Sequence, residues 1–108
     1  MPFINISYSE KISKEIKNEI LEIIKKHTGK PEKYIMISTE IKDITLNNKN
    51  ALYIQYKQIG DLSREQKENI LRDITVLFQT KGYDTKTMYT TFESFERDNW
   101  AINNKLFG

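Results

Sequence analysis

The sequence says much the same thing twice. Phe3, Ile4, Asn5 and Ile6 return fifty residues on as Tyr53, Ile54, Gln55 and Tyr56. Ile12-Ser13-Lys14-Glu15 returns as Leu62-Ser63-Arg64-Glu65, Ile20-Leu21 as Ile70-Leu71, and Ile24 as Ile74. Past the first helical stretch the offset grows to 53, which sets Glu32-Lys33 on Thr85-Lys86. A chain with such a period builds its fold from one supersecondary unit used twice.

Each unit reads as strand, helix, strand. Phe3-Ile4-Asn5-Ile6-Ser7-Tyr8 opens apolar and then alternates, as a strand does. Ser9 or Ser13 offers a helix cap. Ile12, Ile16, Ile20, Ile23, Ile24 and His27 then recur at helical spacing with Lys and Glu between them, an amphipathic helix with one apolar stripe. Gly29 ends it and Pro31 blocks its continuation. Tyr34 to Thr39 is the second strand, and the polar, asparagine-rich stretch Asp43 to Asn50 is a loop or short hairpin. In the second unit Ala51 to Tyr56 is a strand, and Ser63-Arg64-Glu65-Gln66 is a capping-box signature. Ile70, Leu71, Ile74, Leu77 and Phe78 form the helical stripe, Gly82 closes the helix, and Thr87 to Phe92 is the last strand. The expected fold class is α/β: tandem βαβ units giving a four-stranded mixed sheet with two helices on one face. Only two helices are available, so the other sheet face needs cover from a second subunit.

Composition narrows the function. At 108 residues the chain fits one domain. It is 38% hydrophobic and 30% charged, as expected of a globular protein rather than a disordered one. A net charge of +2 argues against a nucleic-acid partner. The absence of cysteine removes disulfides and thiolate metal sites, and a single histidine excludes a multi-histidine metal site within one chain. No apolar run approaches the roughly 20 residues of a membrane span, and the start of the chain has no signal-peptide pattern. The expected partners therefore include no nucleic acid and no membrane. The expected compartment is cytoplasmic, with export lacking a signal peptide as the alternative.

Pro2 stands at the head of the first strand. A proline is tolerated at a strand's first residue or on an edge strand, because it lacks the N–H of the ladder. It also has a second use. Removal of Met1 would leave Pro2 as a secondary amine able to act as a base.

Four stretches lie in order along the chain: Met1-Pro2; Thr28-Gly29-Lys30-Pro31-Glu32-Lys33-Tyr34-Ile35; Ile59-Gly60; and the tail Asn99-Trp100-Ala101-Ile102-Asn103-Asn104-Lys105-Leu106-Phe107-Gly108. Together they resemble the macrophage migration inhibitory factor family of the tautomerase superfamily, over nearly the whole length. The resemblance implies a domain spanning residues 1–108, with pseudo-repeat halves at about 2–42 and 51–95 and a C-terminal interface tail, 96–108. It implies a homotrimer whose sheets line a central barrel, with an active site at each subunit interface. Carried over by position, Pro2 would be the catalytic base and Lys30 would hold a substrate carboxylate. The backbone near Ile59 would line the site, and Tyr89, with Thr91 two residues on, would come from the neighbouring subunit. Trp100, Ile102 and Phe107 would wall an apolar pocket.

The implied activity is that of an isomerase of the phenylpyruvate or dopachrome tautomerase type, acting on a small 2-keto or enol acid with no cofactor and no metal. A base moving a proton between carbon and oxygen should titrate near working pH. An α-amino group does so at about 7.7–8.0, and burial beside a lysine lowers it further. Some features depart from the family pattern. Thr91 stands where an asparagine is common, Ile102 where many members have tryptophan, and Asn47-Asn48-Lys49-Asn50 replaces a Gly-rich stretch. The family's Cys-x-x-Cys is absent, so no thiol oxidoreductase activity is implied. A second reading is a cytokine-like protein that engages a protein receptor and keeps only a vestigial pocket. A third, a monomeric ferredoxin-like RNA-binding module, lacks the basic and aromatic run it would need.

Overall fold

The structure is a computed structural model describing residues 1–108. Two βαβ units lie end to end. The first is β1 (Phe3–Tyr8), α1 (Lys14–Thr28) and β2 (Met36–Ile41), followed by a small hairpin, β3 (Thr45–Leu46) and β4 (Lys49–Asn50). The second is β5 (Leu52–Ile59), α2 (Arg64–Thr80) and β6 (Met88–Phe95), followed by a second small hairpin, β7 (Ala101–Ile102) and β8 (Lys105–Leu106). The main sheet has the order β2-β1-β5-β6, parallel within each unit and antiparallel where β1 meets β5.

The sequence repeat is obeyed in the sheet register. The offsets of 50 and 53 carry the parallel pair Ile4↔Ile37 onto Ile54↔Thr90. In the antiparallel seam they carry Phe3↔Lys57 onto Ser7↔Tyr53 and leave Asn5↔Gln55 on itself. A local twofold axis therefore passes between Asn5 and Gln55, whose side chains share a hydrogen bond of 3.3 Å. The single 3-10 turns before β2 (Glu32–Tyr34) and β6 (Thr85–Thr87) obey the same rule.

The helices form as their sequences direct. Ser13 caps α1 by accepting from the Ile16 amide, and Gly29 closes it in the left-handed conformation at φ 69. The α2 capping box is complete, with Ser63 and Gln66 each bonded to the other's backbone. The isoleucine stripes bury against one sheet face. Ile4, Ile6 and Ile54 meet Ile16, Ile20, Ile24, Ile70, Ile74 and Phe78 in a single core, each buried side chain contributing about 1.5–3 kcal/mol.

The opposite face carries polar side chains. Asn5 donates to Glu40 at 3.1 Å and accepts from Ser38 at 2.7 Å, while Ser7 donates to Glu40 at 2.7 Å. Of the large apolar side chains that remain exposed, Tyr34, Met36, Ile41, Leu46, Tyr89, Ile102 and Leu106 lie at the sheet edges, the two hairpins and the turn before β2, and Leu71 and Val76 lie on α2.

Two details differ from the expectation. The second strand starts at Met36 rather than Tyr34, because the 3-10 turn after Pro31 consumes Tyr34. β1 is an internal strand, so Pro2 does not head an edge strand; its carbonyl accepts from the Met36 amide at 2.9 Å, just ahead of β1. Of the two forms expected for the asparagine-rich stretch after β2, the structure takes the short hairpin; its Asn47 and Asn48 both have positive φ, 54° and 60°, the geometry of the two-residue turns that asparagine tolerates.

Candidate active site

Pro2 is completely buried at the start of an internal strand. Its position delivers the amino-terminal end of the chain into a cleft of about 680 Å³ lined by Met1, Lys30, Tyr34, Ile59, Arg97, Ile102 and Phe107. That volume suits a small organic acid.

Five segments converge there. α1 ends in the left-handed turn at Gly29, and Lys30 follows at once, its amide donating to the Thr28 hydroxyl at 3.2 Å. The 3-10 turn adds Tyr34. Ile59 is the last residue of β5, and Gly60 then turns the chain at φ 77, its amide bonded to the Phe95 carbonyl at 2.9 Å. Arg97 opens a 3-10 turn after β6. Ile102 and Phe107 come from the C-terminal hairpin and the residue after it, and Phe107 donates its amide to the Trp100 carbonyl at 3.0 Å.

The site is electropositive over apolar walls. Partial burial holds the chain's terminal ammonium below the ordinary α-amino range, and the Lys30 cation pushes it further the same way.

Four of the substrate-binding candidates, Lys30, Ile59, Ile102 and Phe107, line this one cleft beside the residue preceding Pro2. The other three lie elsewhere in the chain. Tyr89 is exposed on β6, the edge strand far from β2. Thr91, also on β6, shares a hydrogen bond of 3.0 Å with the Tyr53 hydroxyl. Trp100 packs edge-on against Phe95, ring centres 5.4 Å apart, and does not line the cleft.

Two lining residues escaped the sequence reading. The sequence pattern reads Tyr34 as the start of a strand, whereas the 3-10 turn after Pro31 takes it; the Lys30-Pro31 pair before it is the turn signal. Arg97 sits between Glu96 and Asp98 and reads as solvated loop charge.

No family model matches the sequence, and no curated protein matches it. Solved structures do. Macrophage migration inhibitory factor of Toxoplasma gondii superposes with a TM-score of 0.86 at 16% identity, covering 97% of this chain and 99% of that one. The chain has the fold of the macrophage migration inhibitory factor family. The homologue from Prochlorococcus marinus gives a TM-score of 0.84 at 26% identity, covering 98% of this chain and 99% of its own. A third structure with the migration-inhibitory-factor fold, Pt0534 inactivated by 2-oxo-3-pentynoate, gives 0.79 at 16% identity, covering 97% of this chain and 94% of that one.

Proposed function

We propose that this protein is a cofactor-independent tautomerase of phenylpyruvate-like 2-keto acids, working as a homotrimer with Pro2 as its base. The observation that carries the reading is the convergence of the chain's amino-terminal end and Lys30 in one apolar cleft. Pt0534, of the same fold, is inactivated by a 2-oxo acid, which supports the substrate class.

In the active form Met1 has been removed and the Pro2 nitrogen is a neutral secondary amine. It takes a proton from C3 of the 2-keto acid. The C–H electron pair becomes the C2–C3 double bond, and the carbonyl pair moves to oxygen. Return of the proton to that oxygen completes the enol, and the reverse sequence ketonises it. Lys30 binds the carboxylate and holds down the proton affinity of the amine, so that the amine is neutral at working pH. Tyr34, Ile59, Ile102 and Phe107 accept the aryl group. The exposed apolar side chains at the sheet edges and hairpins support association. In a trimer Tyr89, and beside it Thr91, come to the cleft from a neighbouring subunit, and the 96–108 tail forms part of the interface.

The test is ketonisation of phenylpyruvate enol by the processed protein, by Pro2→Ala and by a form retaining Met1, each checked by intact mass. The expected loss in the last two is on the order of 10²–10⁴-fold, the usual contribution of a positioned base. Equal rates in all three refute the proline mechanism. A stable trimer without turnover that binds a protein receptor would instead support the cytokine-like reading.

A further inference from the structure

The cleft holds a second fixed cation, Arg97, which the proposed chemistry leaves without a role. Its Nε donates to the Phe107 carbonyl at 3.1 Å, which ties the guanidinium to the residue forming one wall. Neither Arg97 nor Lys30 makes an ion pair with any carboxylate of the chain. The acids nearest in sequence, Glu96 and Asp98, do not line the cleft. Arg97 also borders a neighbouring cleft of about 530 Å³ that contains Asp61, Glu93 and Glu96, yet it pairs with none of them. Within one subunit the main cleft thus presents two side-chain cations and no acid among apolar walls.

Resting on the 2-keto acid reading, we propose that the natural ligand is a dianion: a 2-keto acid whose far end carries a second carboxylate. Lys30 takes the carboxylate beside the keto group, and the free nitrogens of Arg97 take the distal one. A guanidinium presents parallel N–H donors that match a carboxylate in a bidentate pair, and a lysine does not. The apolar walls between the two cations suit a flat, unsaturated or aromatic spacer.

The test compares three ligands on the processed, full-length protein by titration calorimetry: phenylpyruvate, its 4-carboxy derivative, and its 4-carboxamide as a neutral group of matching size. The 4-carboxy acid should bind about tenfold tighter than the other two, as expected of one charge-assisted pair. The preference should shrink as salt rises. In Arg97→Gln it should fall to within twofold, and Arg97→Lys should retain part of it. Arg97 is exposed, and equal thermal unfolding curves will show that the variants are folded. Equal binding of all three ligands overturns the proposal. So does a preference that survives Arg97→Gln, or a failure of all three to bind. The ligand ratio is independent of turnover, so the two readings fail separately. A dianion preference without Pro2-dependent turnover removes the base and leaves the site. Pro2-dependent turnover without the preference removes only the dianion.

Discussion

Gln66 holds together parts of the molecule that are distant in sequence, and its removal should be felt at the candidate site. Its side-chain oxygen accepts from the Ser63 amide at 2.9 Å, and its side-chain nitrogen donates to the His27 carbonyl at 3.2 Å. His27 lies in the last turn of α1 and is held a second time by α2, through Asp73 at 2.6 Å. That turn launches Gly29 and Lys30. Gln66→Ala deletes two side-chain hydrogen bonds, each worth about 0.5–1.5 kcal/mol net. The higher helix propensity of alanine returns a few tenths of a kcal/mol. The expected loss is therefore about 1–2 kcal/mol. With a urea slope of about 1–3 kcal/mol/M, the unfolding midpoint should fall by roughly 1 M with no change in slope. Protomer concentration must be held constant, since an oligomer's stability depends on it. Ser63→Ala breaks only one side-chain cap and should cost about 1 kcal/mol. The distinguishing readout is kinetic: Gln66→Ala should raise KM for the proposed 2-keto acid more than Ser63→Ala does, because of these two side chains Gln66 alone bonds to the turn behind Lys30. If Gln66→Ala is no more destabilising than Ser63→Ala and leaves KM alone, the clamp does not work as described.

Two further outcomes follow from other parts of the structure. On the proposed mechanism the base is the neutral Pro2 amine, so kcat/KM should climb with pH as that amine loses its proton; a neighbouring cation disfavours the protonated amine, as burial and then Lys30 do for the terminal ammonium when Met1 is present, so Lys30→Ala should move the rising limb to higher pH, and a limb that stays put or moves down contradicts the electrostatic assignment. At the first hairpin, Asn47→Val puts a β-branched residue at φ 54 and should lower stability by about 1–2 kcal/mol in urea unfolding, while Asn48→Gly should cost nothing.

The fold was largely legible because its determinants are local and repeated. The isoleucine stripes, the Ser13 and Ser63 caps and the Gly29 stop each specify their element without reference to the rest of the chain. What escaped was short or non-local. The tail hairpin turns at Asn103-Asn104 between Ile102 and Lys105, echoing Leu46-Asn47-Asn48-Lys49 in the first hairpin. With two residues per strand, neither hairpin shows a hydrophobic period. That Lys30, Ile59, Ile102 and Phe107 meet in one cleft was legible only through resemblance, since no spacing in the sequence brings positions 30 and 107 together. Arg97 lacked even that help: what marks it is the absence of an ion pair, which only the folded chain reveals.

The local twofold axis has one more implication. The repeat sets Pro2 on Leu52, and it sets Gly29-Lys30 on Gly82-Tyr83. The frame therefore outlines two related corners, but a polypeptide has only one beginning. Leu52 is bonded in the backbone on both sides and can never present an amine. At the second corner Tyr83 packs edge-on between Tyr8 and Phe78, with ring centres 5.3 and 5.1 Å away. One corner opens into the cleft lined by Met1 and Lys30, and the other is plugged with aromatic rings. Equivalent substitutions in the two halves should then have unequal consequences, costing recognition in the first and cohesion in the second.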